Sequence, residues 1–265
     1  MLTNTAFFDT ADFAHRTLLP PDALVWEALR SLKQYMNAHS YGQLPEAYAN
    51  GIPLAKPVVL HNDTLMDGED LVIDYGDATK GGIKVYQNDI LLDGASVIMA
   101  GAVILGSRVV IGKGVKIEPG AFIQSPAIID DNSEIRQGAY LRGYCLVGKR
   151  CVVGHVTEVK HSIFLNDAKA GHFAYVGDSI LGNDVNLGAG TKLANLRFLR
   201  GNVQIRTDTG SVPTGLRKLG AILGDHAQTG CNAVTNPGTL LGKKSMVLPN
   251  TTAPSGYHPD STIIR

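Results

Sequence analysis

The sequence predicts an all-β solenoid, a parallel β-helix built from hexapeptide repeats. Two columns of residues, each with a spacing of six, lead to this prediction. The first column is aliphatic and comprises Met99, Leu105, Ile111, Ile117, Ile123, Ile129, Ile135, Leu141, Val147, Val153, Val159 and Leu165. The second column lies two residues earlier, is small or β-branched at almost every step, and comprises Val97, Val103, Val109, Val115, Ala121, Ala127, Ser133, Ala139, Cys145, Cys151, Thr157 and Ile163.

Helices and hairpins do not explain a six-residue period. An α-helix with 3.6 residues per turn would scatter it around the circumference, and hairpin strands would need turn signals that the sequence lacks. A β-helix explains it, because each hexapeptide then supplies one short strand and one corner, and stacked coils bury a shared internal column. The low aromatic content of 6% suits a narrow interior filled by aliphatic side chains.

Composition and charge restrict the class of protein. The chain has 265 residues, of which 44% are hydrophobic, enough for a substantial core. The formal net charge is zero and no stretch carries a run of like charge, which argues against nucleic acid and membrane partners and favours a small ligand. The first residues lack the features of a secretion signal and no apolar run could span a bilayer, so we expect a cytoplasmic protein.

The cysteines and histidines do not indicate a metal site. Cys145 and Cys151 lie in the small column and should point inward, while Cys231 stands alone in a later repeat, so all three are interpreted as packing residues. The histidines between 155 and 172 do not have the spacing of a solenoid zinc site. We therefore expect no metal.

Breaks in the repeat suggest the following organisation. An N-terminal helical and connector segment should occupy 1–57, and irregular first coils or a cap 58–95. The β-helix should run over 96–250 with an inserted loop at 195–218, and 251–265 should form a tail. Because every coil must stack on the next, function is expected where the register fails, near His172 and in the inserted loop.

Two local predictions concern the first 95 residues. Apolar residues at helical spacing predict a helix over 22–38, with the Asp22 carboxylate accepting hydrogen bonds from the first free amides. Strands are predicted over 71–74 and 83–86, without strict alternation.

Two cations, Arg142 and Lys160, lie 18 residues apart, each directly after a core aliphatic residue. If three hexapeptides make one coil, their side chains point outward from one face as vertical neighbours about 4.8 Å apart. Their repulsion would be about 3 kcal/mol at an effective dielectric of 20, and an anion between them would remove it. Arginine and lysine together suit a phosphate. The alternative, two solvated cations that avoid each other, is equally open from spacing alone.

His172 stands where a glycine replaces the expected core aliphatic residue. Histidine takes up a proton near neutral pH, so it is a candidate general base, although a lone histidine is more often structural. Glu158 and Asn186 are candidates to orient its ring. The glycine-rich stretch 186–191 would let a ligand approach the backbone closely, or it would simply turn a corner.

These residues resemble a known family. The stretches 158–160, 170–178 and 184–191, followed by Asn195, are similar to the acetyltransferase half of the bifunctional N-acetylglucosamine-1-phosphate uridyltransferase/glucosamine-1-phosphate acetyltransferase. The resemblance covers about 95–250. It implies a left-handed β-helix that works as a homotrimer with sites between subunits. The N-terminal stretch also resembles the start of short hexapeptide-repeat chains labelled pyrophosphorylase-related.

The resemblance also implies roles for individual residues. Arg142, Lys160 and Tyr175 match positions that hold a sugar phosphate, Asn186 matches a sugar contact, and His172 matches the general base. The positions that match acetyl-CoA contacts are Ala189, Asn195, Cys231 and Pro249.

Some positions depart from the family pattern. Leu196 replaces a tyrosine, Cys231 stands where serine is usual, and the loop at 195–218 is longer, so the acyl-CoA side is in more doubt than the sugar side. Residues 1–95 are short and lack a glycine-rich, arginine-bearing nucleotide loop, so we expect no nucleotidyl transfer.

The leading hypothesis is acetyl transfer from acetyl-CoA to the amine of an amino-sugar 1-phosphate, either glucosamine-1-phosphate or galactosamine-1-phosphate. A second hypothesis is a non-catalytic solenoid that binds a sugar phosphate or nucleotide sugar, which the changes at Leu196 and Cys231 favour. A third is transfer of a longer acyl chain to a different amino sugar.

Overall fold

Three parallel sheets wrap around one internal column, and the fold is the parallel β-helix that the sequence predicted, with about nine turns. The computed structural model describes residues 2–42 and 44–265. We call the sheets the first, second and third faces, in the order in which the chain enters them after Val103. Each strand pairs in parallel with its equivalent one coil later, so the coil-to-coil register places every outward side chain.

The strands of each face are short. The first face contains Val103–Leu105, Phe122–Gln124, Tyr140–Arg142, Glu158–Lys160, Tyr175–Gly177, Lys192–Leu193, Val234–Thr235 and Thr252–Ala253. The second face contains Val109–Ile111, Ala127–Ile129, Cys145–Val147, Ser162–Phe164, Ile180–Leu181, Ala221–Leu223, Thr239–Leu241 and Gly256–His258. The third face contains Ser96–Ile98, Lys116–Ile117, Glu134–Ile135, Val152–His155, Lys169–His172, Asn186–Leu187, Gln228–Thr229, Met246–Val247 and Ile263–Ile264.

The predicted internal column is confirmed from Ile111 to Val159 and is wrong at both ends. At the start, Ile104 pairs with Ile123 and is buried, whereas Leu105 pairs with Gln124 and is 41% exposed. Likewise Ile98 rather than Met99 stacks on Ile117. The physical reason is that the corner after Ile104 has one residue more than the later corners, which a strict period of six cannot show.

At the other end, Phe164 rather than Leu165 stacks on Val147 and points inward. The corner after Lys160 has one residue fewer than the corner after Arg142, and the corner after Gly177 is shortened in the same way, so the column moves by one position at Phe164 and by another at Leu181. The register therefore slips about ten residues before His172, where the sequence predicted it to fail. Leu181, Leu187 and Leu193 then continue the column, as predicted.

An N-terminal segment covers the second face. It contains α1 (Asn4–Phe7), α2 (Glu27–Ala38) and two 3₁₀ turns, Arg16–Leu18 and Glu46–Tyr48. Its apolar side chains bury the outward aliphatic residues of the second face, namely Ile128, Leu146, Ile163, Ile180, Ile222 and Leu240. The second face is therefore closed to a ligand.

The predicted start of the long helix is wrong. The helix begins at Glu27, not at 22, and Asp22 does not cap it. Leu24 forms an antiparallel bridge with Thr3, and the Val25 amide donates to the Leu2 carbonyl, so the chain before Trp26 is held extended.

Residues 58–95 close the N-terminal end of the solenoid. The hairpin Val58–His61 and Thr64–Asp67 adds to the third face by antiparallel pairing with Ser96–Ile98. A separate antiparallel sheet contains Val72–Tyr75, Ile83–Gln87 and Ile90–Leu91, with 3₁₀ turns at Gly68–Asp70 and Ala78–Lys80. The two predicted strands, 71–74 and 83–86, fall within this sheet.

Residues 195–218 leave the coil as an insertion. A bridge between Leu196 and Lys218 closes its base, and Gln204–Thr207 pairs with Gly210–Pro213. The predicted tail is wrong, because the chain after 251 adds Thr252–Ala253, Gly256–His258 and Ile263–Ile264 to the three faces.

The cysteines differ in their surroundings. Cys145 and Cys151 are fully buried, as predicted, and burial raises the pKa of the Cys145 thiol to about 12, so it is unreactive. Cys231 is exposed, so the packing role predicted for it is wrong.

Within 2–42 and 44–265, no helix combines the length and apolar composition that a membrane crossing needs.

The register at the start of the solenoid gives a direct test. Replacing Ile104 by Ala should lower the free energy of unfolding by about 2–5 kcal/mol, because it leaves a cavity in the internal column. The neighbouring change Leu105→Ala should cost less than about 1 kcal/mol, because that side chain faces outward. Denaturant unfolding measures both, and a larger loss for Leu105→Ala would contradict the register.

Candidate active site

The predicted site residues lie mainly along the two edges of the first face. We call the corner where the chain enters this face the leading edge and the corner where it leaves the trailing edge. Each strand of this face is two or three residues long, so the edges are roughly 10 Å apart at the backbone. The outward side chains of the first face form the floor between them.

The leading edge brings together four residues from separate coils. His172 ends the third-face strand Lys169–His172, whose Ala170 pairs with Leu187, so Ala189 follows beside His172. The Gly190 amide donates to the His172 carbonyl at 3.0 Å. In the next coils the register of Leu187 with Thr229, and of Thr229 with Val247, places Cys231 and then Pro249 above Ala189.

Backbone contacts agree with this column. The Asn232 amide donates to the Ala189 carbonyl at 2.8 Å, and the Asn250 amide donates to the Cys231 carbonyl at 2.9 Å. Ala189 is half-buried, whereas Cys231 and Pro249 are exposed. The candidate general base therefore stands at one end of a ridge formed by three of the four predicted acyl-donor contacts.

The His172 side chain is exposed and lies beside aromatic rings. Its ring centroid is 5.8 Å from that of Phe173, and Phe173 meets His155 edge-on at 5.7 Å. Neither predicted orienting residue is directed at this ring. Glu158 accepts a hydrogen bond from Arg142, and Asn186 lies on the third face beside Lys169.

At the trailing edge, Arg142 and Lys160 are vertical neighbours, because their strands pair through Tyr140 with Glu158 and Leu141 with Val159. Each cation has its own carboxylate. Arg142 Nη1 donates to Glu158 Oε1 at 2.6 Å, and Lys160 Nζ is 3.0 Å from Asp178 Oδ2. The repulsion expected from spacing is thus already compensated within the chain.

These two ion pairs differ in burial. Arg142 and Glu158 are 43% and 35% exposed, and an exposed pair of this kind contributes less than about 1 kcal/mol. Asp178 is only 9% exposed and binds three donors. The Arg142 pair is therefore the one that a bound anion can displace.

An aromatic column extends the floor below Arg142. Tyr140 packs edge-on against Phe122 at 5.4 Å, and the Arg142 guanidinium lies 5.8 Å from the Tyr140 ring centroid. This contact holds the arginine flat over the first face. The sequence analysis missed Tyr140, although its position two residues before Arg142 on a short strand places both on the same face.

Asp178 is the best-connected side chain of the trailing edge, and the sequence analysis gave it no role. Besides Lys160 it accepts from His161 Nδ1 at 2.9 Å and from Asn195 Nδ2 at 2.5 Å. Burial alone would raise the pKa of this carboxyl, but the hydrogen bonds from His161 and Lys160 outweigh it and hold the pKa below its usual value.

Tyr175 and Asn195 meet over Gly177. A Cβ on Gly177 would lie 2.5 Å from Tyr175 Oη and 2.7 Å from Asn195 Nδ2, so only glycine leaves room for both side-chain ends. Burial, with the nearby Glu158 carboxylate, raises the pKa of Tyr175. Asn195 thus belongs to the trailing edge and does not join the other three predicted acyl-donor contacts.

Asn186 is separated from the predicted sugar-phosphate residues within one chain. It projects from the third face, where it stacks between Lys169 and Gln228. Arg142, Lys160 and Tyr175 project from the first face. One small ligand on a single chain therefore does not reach all four.

The part of the chain that contains the candidate site is similar in sequence to known proteins. The family model described as the GMPPB C-terminal domain matches residues 123–252. A bifunctional sugar-1-phosphate nucleotidylyltransferase/acetyltransferase of Sulfurisphaera tokodaii is 42% identical over 96 residues, which is 36% of this chain and 24% of that protein. The bifunctional protein GlmU of Methanococcus maripaludis is 42% identical over 94 residues, 36% of this chain and 23% of that protein.

Among solved structures, a UDP-N-acetylglucosamine acyltransferase of Francisella novicida is similar over 59% of this chain and 58% of its own, at 18% identity and a TM-score of 0.28. The chain spans about a quarter of the length of the curated relatives it matches. The sequence matches confirm the resemblance found above: the C-terminal region of the chain is similar to part of the sugar-1-phosphate nucleotidylyltransferase/acetyltransferases.

Proposed function

We propose that the protein transfers an acetyl group from acetyl-CoA to the amine of an amino-sugar 1-phosphate, either glucosamine-1-phosphate or galactosamine-1-phosphate. One observation carries this proposal. The stacked coils place His172, Ala189, Cys231 and Pro249 in one column along the leading edge and Arg142 and Lys160 along the facing trailing edge. A phosphate held at one edge would present the rest of its sugar to a base at the other.

In the proposed reaction His172 takes a proton from the substrate ammonium, which frees the nitrogen lone pair. The amine nitrogen attacks the thioester carbonyl carbon, a C–N bond forms, and the C–S bond breaks. The CoA thiolate leaves and takes up the proton from the histidine, and the adduct nitrogen loses its second proton to solvent, so the products are the N-acetyl sugar phosphate, the CoA thiol and one released proton. The side chain of His172 is exposed on the first-face side of its strand, so a bound amine has access to it.

The phosphate would be held by exchange of ion-pair partners. An incoming phosphate monoester competes with Glu158 for Arg142, and it offers the guanidinium two parallel hydrogen bonds where Glu158 now accepts one. Lys160, held by Asp178, adds a second charge from the next coil. Anchoring at two cations fixes the amine in position and makes its attack effectively intramolecular.

We further propose that the site is completed by a second copy of the chain, in a homotrimer. Asn186 lies on the third face and the phosphate-binding pair on the first, and the N-terminal segment closes the second. Packing of the first face of one copy against the third face of its neighbour would bring Asn186 to the ligand. Sedimentation analysis of the protein and of Asn186→Ala tests this arrangement.

Two limits belong to the proposal. It requires no metal, and it assigns no nucleotidyl transfer to residues 2–95, which serve as a cover and a cap on the solenoid.

The second candidate function is a non-catalytic receptor for a sugar phosphate or nucleotide sugar. Leu196, 48% exposed where the resembled family has tyrosine, and the exposed Cys231 favour it. Calorimetry separates the two, since a receptor would bind the sugar phosphate without binding acetyl-CoA.

The general base can be tested with a matched control. His172→Ala should lower kcat by about 10²–10⁴, because the ammonium then has no proton acceptor. His155→Ala removes the histidine directly below in the same column and should leave kcat nearly unchanged. Release of free thiol from acetyl-CoA in the presence of glucosamine-1-phosphate gives the rate. Full activity of His172→Ala would overturn the base assignment.

The phosphate anchor has an equally close control. Arg142→Ala should raise the KM for the sugar phosphate about tenfold or more, because a charge-assisted hydrogen bond is worth about 1.5–3 kcal/mol. Arg150 is just as exposed, at 43%, and is also paired with a carboxylate, Asp167. Arg150→Ala should leave the KM unchanged, and equal effects of the two variants would contradict a specific anchor.

The close contact over Gly177 predicts a loss of binding without a loss of fold. In Gly177→Ala the new methyl group must displace the ends of Tyr175 and Asn195, so the affinity for glucosamine-1-phosphate should fall about tenfold. Thermal unfolding should change little, because both displaced atoms are side-chain ends. Gly42→Ala, whose added methyl meets nothing within 4 Å, is the control for both measurements.

A further inference from the structure

Asp178 connects a proposed phosphate contact to the start of the inserted loop. Its Oδ2 accepts from Lys160 Nζ at 3.0 Å and from Asn195 Nδ2 at 2.5 Å, while Oδ1 accepts from His161 Nδ1 at 2.9 Å. Lys160 is a proposed phosphate contact, and Asn195 is buried beside it on the trailing edge. The carboxylate itself is 9% exposed and is not placed to meet a ligand directly.

The coil register explains why this carboxylate reaches both partners. Lys160 pairs with Gly177, so Asp178 follows directly above the corner after Lys160 and stacks over His161. Both corner residues have a left-handed backbone, with φ of 47°. The corners after Lys160 and Gly177 are both shortened by a residue, and His161 in one donates to Asp178 in the other.

Asp178 and Glu158 differ in a way that assigns them different roles. Glu158 has one partner and is 35% exposed, so a ligand anion can replace it on Arg142. Asp178 has three partners, and removing any one leaves two to hold it. A bound phosphate therefore displaces Glu158 but leaves Asp178 in place, with Lys160 turned toward the ligand by a fixed carboxylate.

We propose that Asp178 is a positioning residue that fixes the Lys160 ammonium for the sugar phosphate, while His161 and Asn195 hold the carboxylate itself in place. This inference rests on the proposed function.

Asp178→Asn tests the proposal, since it keeps the size of the side chain but turns one acceptor into a donor. We expect the KM for glucosamine-1-phosphate to rise about tenfold while the KM for acetyl-CoA stays nearly unchanged. Asp167→Asn is the matched control. Asp167 also lies at a corner with positive φ and pairs with a cation, Arg150 at 2.7 Å, but away from the first face.

A double-mutant cycle separates positioning from general stability. If Asp178 acts through Lys160, then Asp178→Asn should have little further effect on sugar-phosphate affinity in a Lys160→Met protein. Calorimetry with glucosamine-1-phosphate alone measures this coupling without any turnover. Additive losses, or a lowered melting temperature with unchanged KM values, would overturn the positioning role.

The kinetics of the wild-type protein distinguish failure of the proposed function from failure of the role assigned to Asp178. If the wild-type protein shows neither acetyl transfer nor sugar-phosphate binding, then the proposed function is wrong and the assignment of Asp178 fails with it. If the wild-type protein acetylates the sugar phosphate and Asp178→Asn has wild-type kinetics, then only the assignment of Asp178 fails.

Discussion

The coil-to-coil backbone register is the constraint on which the rest of the structure depends. Parallel hydrogen bonding between equivalent strands aligns Tyr140 with Glu158, and Glu158 with Tyr175. Because the strands are only two to four residues long, a shift of one position would turn each outward side chain inward. The two edges of the site are columns of this stack, so the coil-to-coil register is what positions the site residues. Charge and shape at the site follow from which residue each coil contributes.

The N-terminal segment determines which part of the stack is accessible. Residues such as Phe7, Trp26 and Leu29 are fully buried against the outward aliphatic side chains of the second face. The inserted loop joins the same apolar cluster through Val203 and Ile205, and Asn195 at its start reaches Asp178. These contacts join the N-terminal segment, the inserted loop and the trailing edge to one another. The first face and the third face from Lys169 onward remain accessible, and it is on these that the predicted site residues lie, whereas earlier third-face side chains such as Glu134 are buried beneath Ala78.

Much of the fold could be predicted from the sequence, because period and burial are local properties. The column from Ile111 to Val159 is confirmed for this reason. The errors in the internal column come from changes of one residue in length, at the corners after Ile104, Lys160 and Gly177. The helix start at 22 is wrong for a different reason, because pairing with Leu2 and Thr3 holds the chain extended there.

Less of the candidate site than of the fold could be predicted from the sequence. The stacking of Arg142 on Lys160 follows from their spacing, which crosses no irregular corner. The carboxylate partners, Glu158 and Asp178, could not be found in this way, because side-chain direction at a shortened corner decides them. The sequence offered one indication of Asp178. It is a non-glycine residue at a corner position, so its side chain could have been expected to bind neighbouring groups.

The most direct test of the account is a crystal structure of the protein with glucosamine-1-phosphate and CoA. The account predicts the phosphate between Arg142 and Lys160, with Glu158 released and Asp178 unmoved, and the CoA thiol beside His172 with its pantetheine along Ala189, Cys231 and Pro249. A phosphate bound away from the trailing edge, or CoA lying on a face other than the one bounded by these two edges, would contradict it.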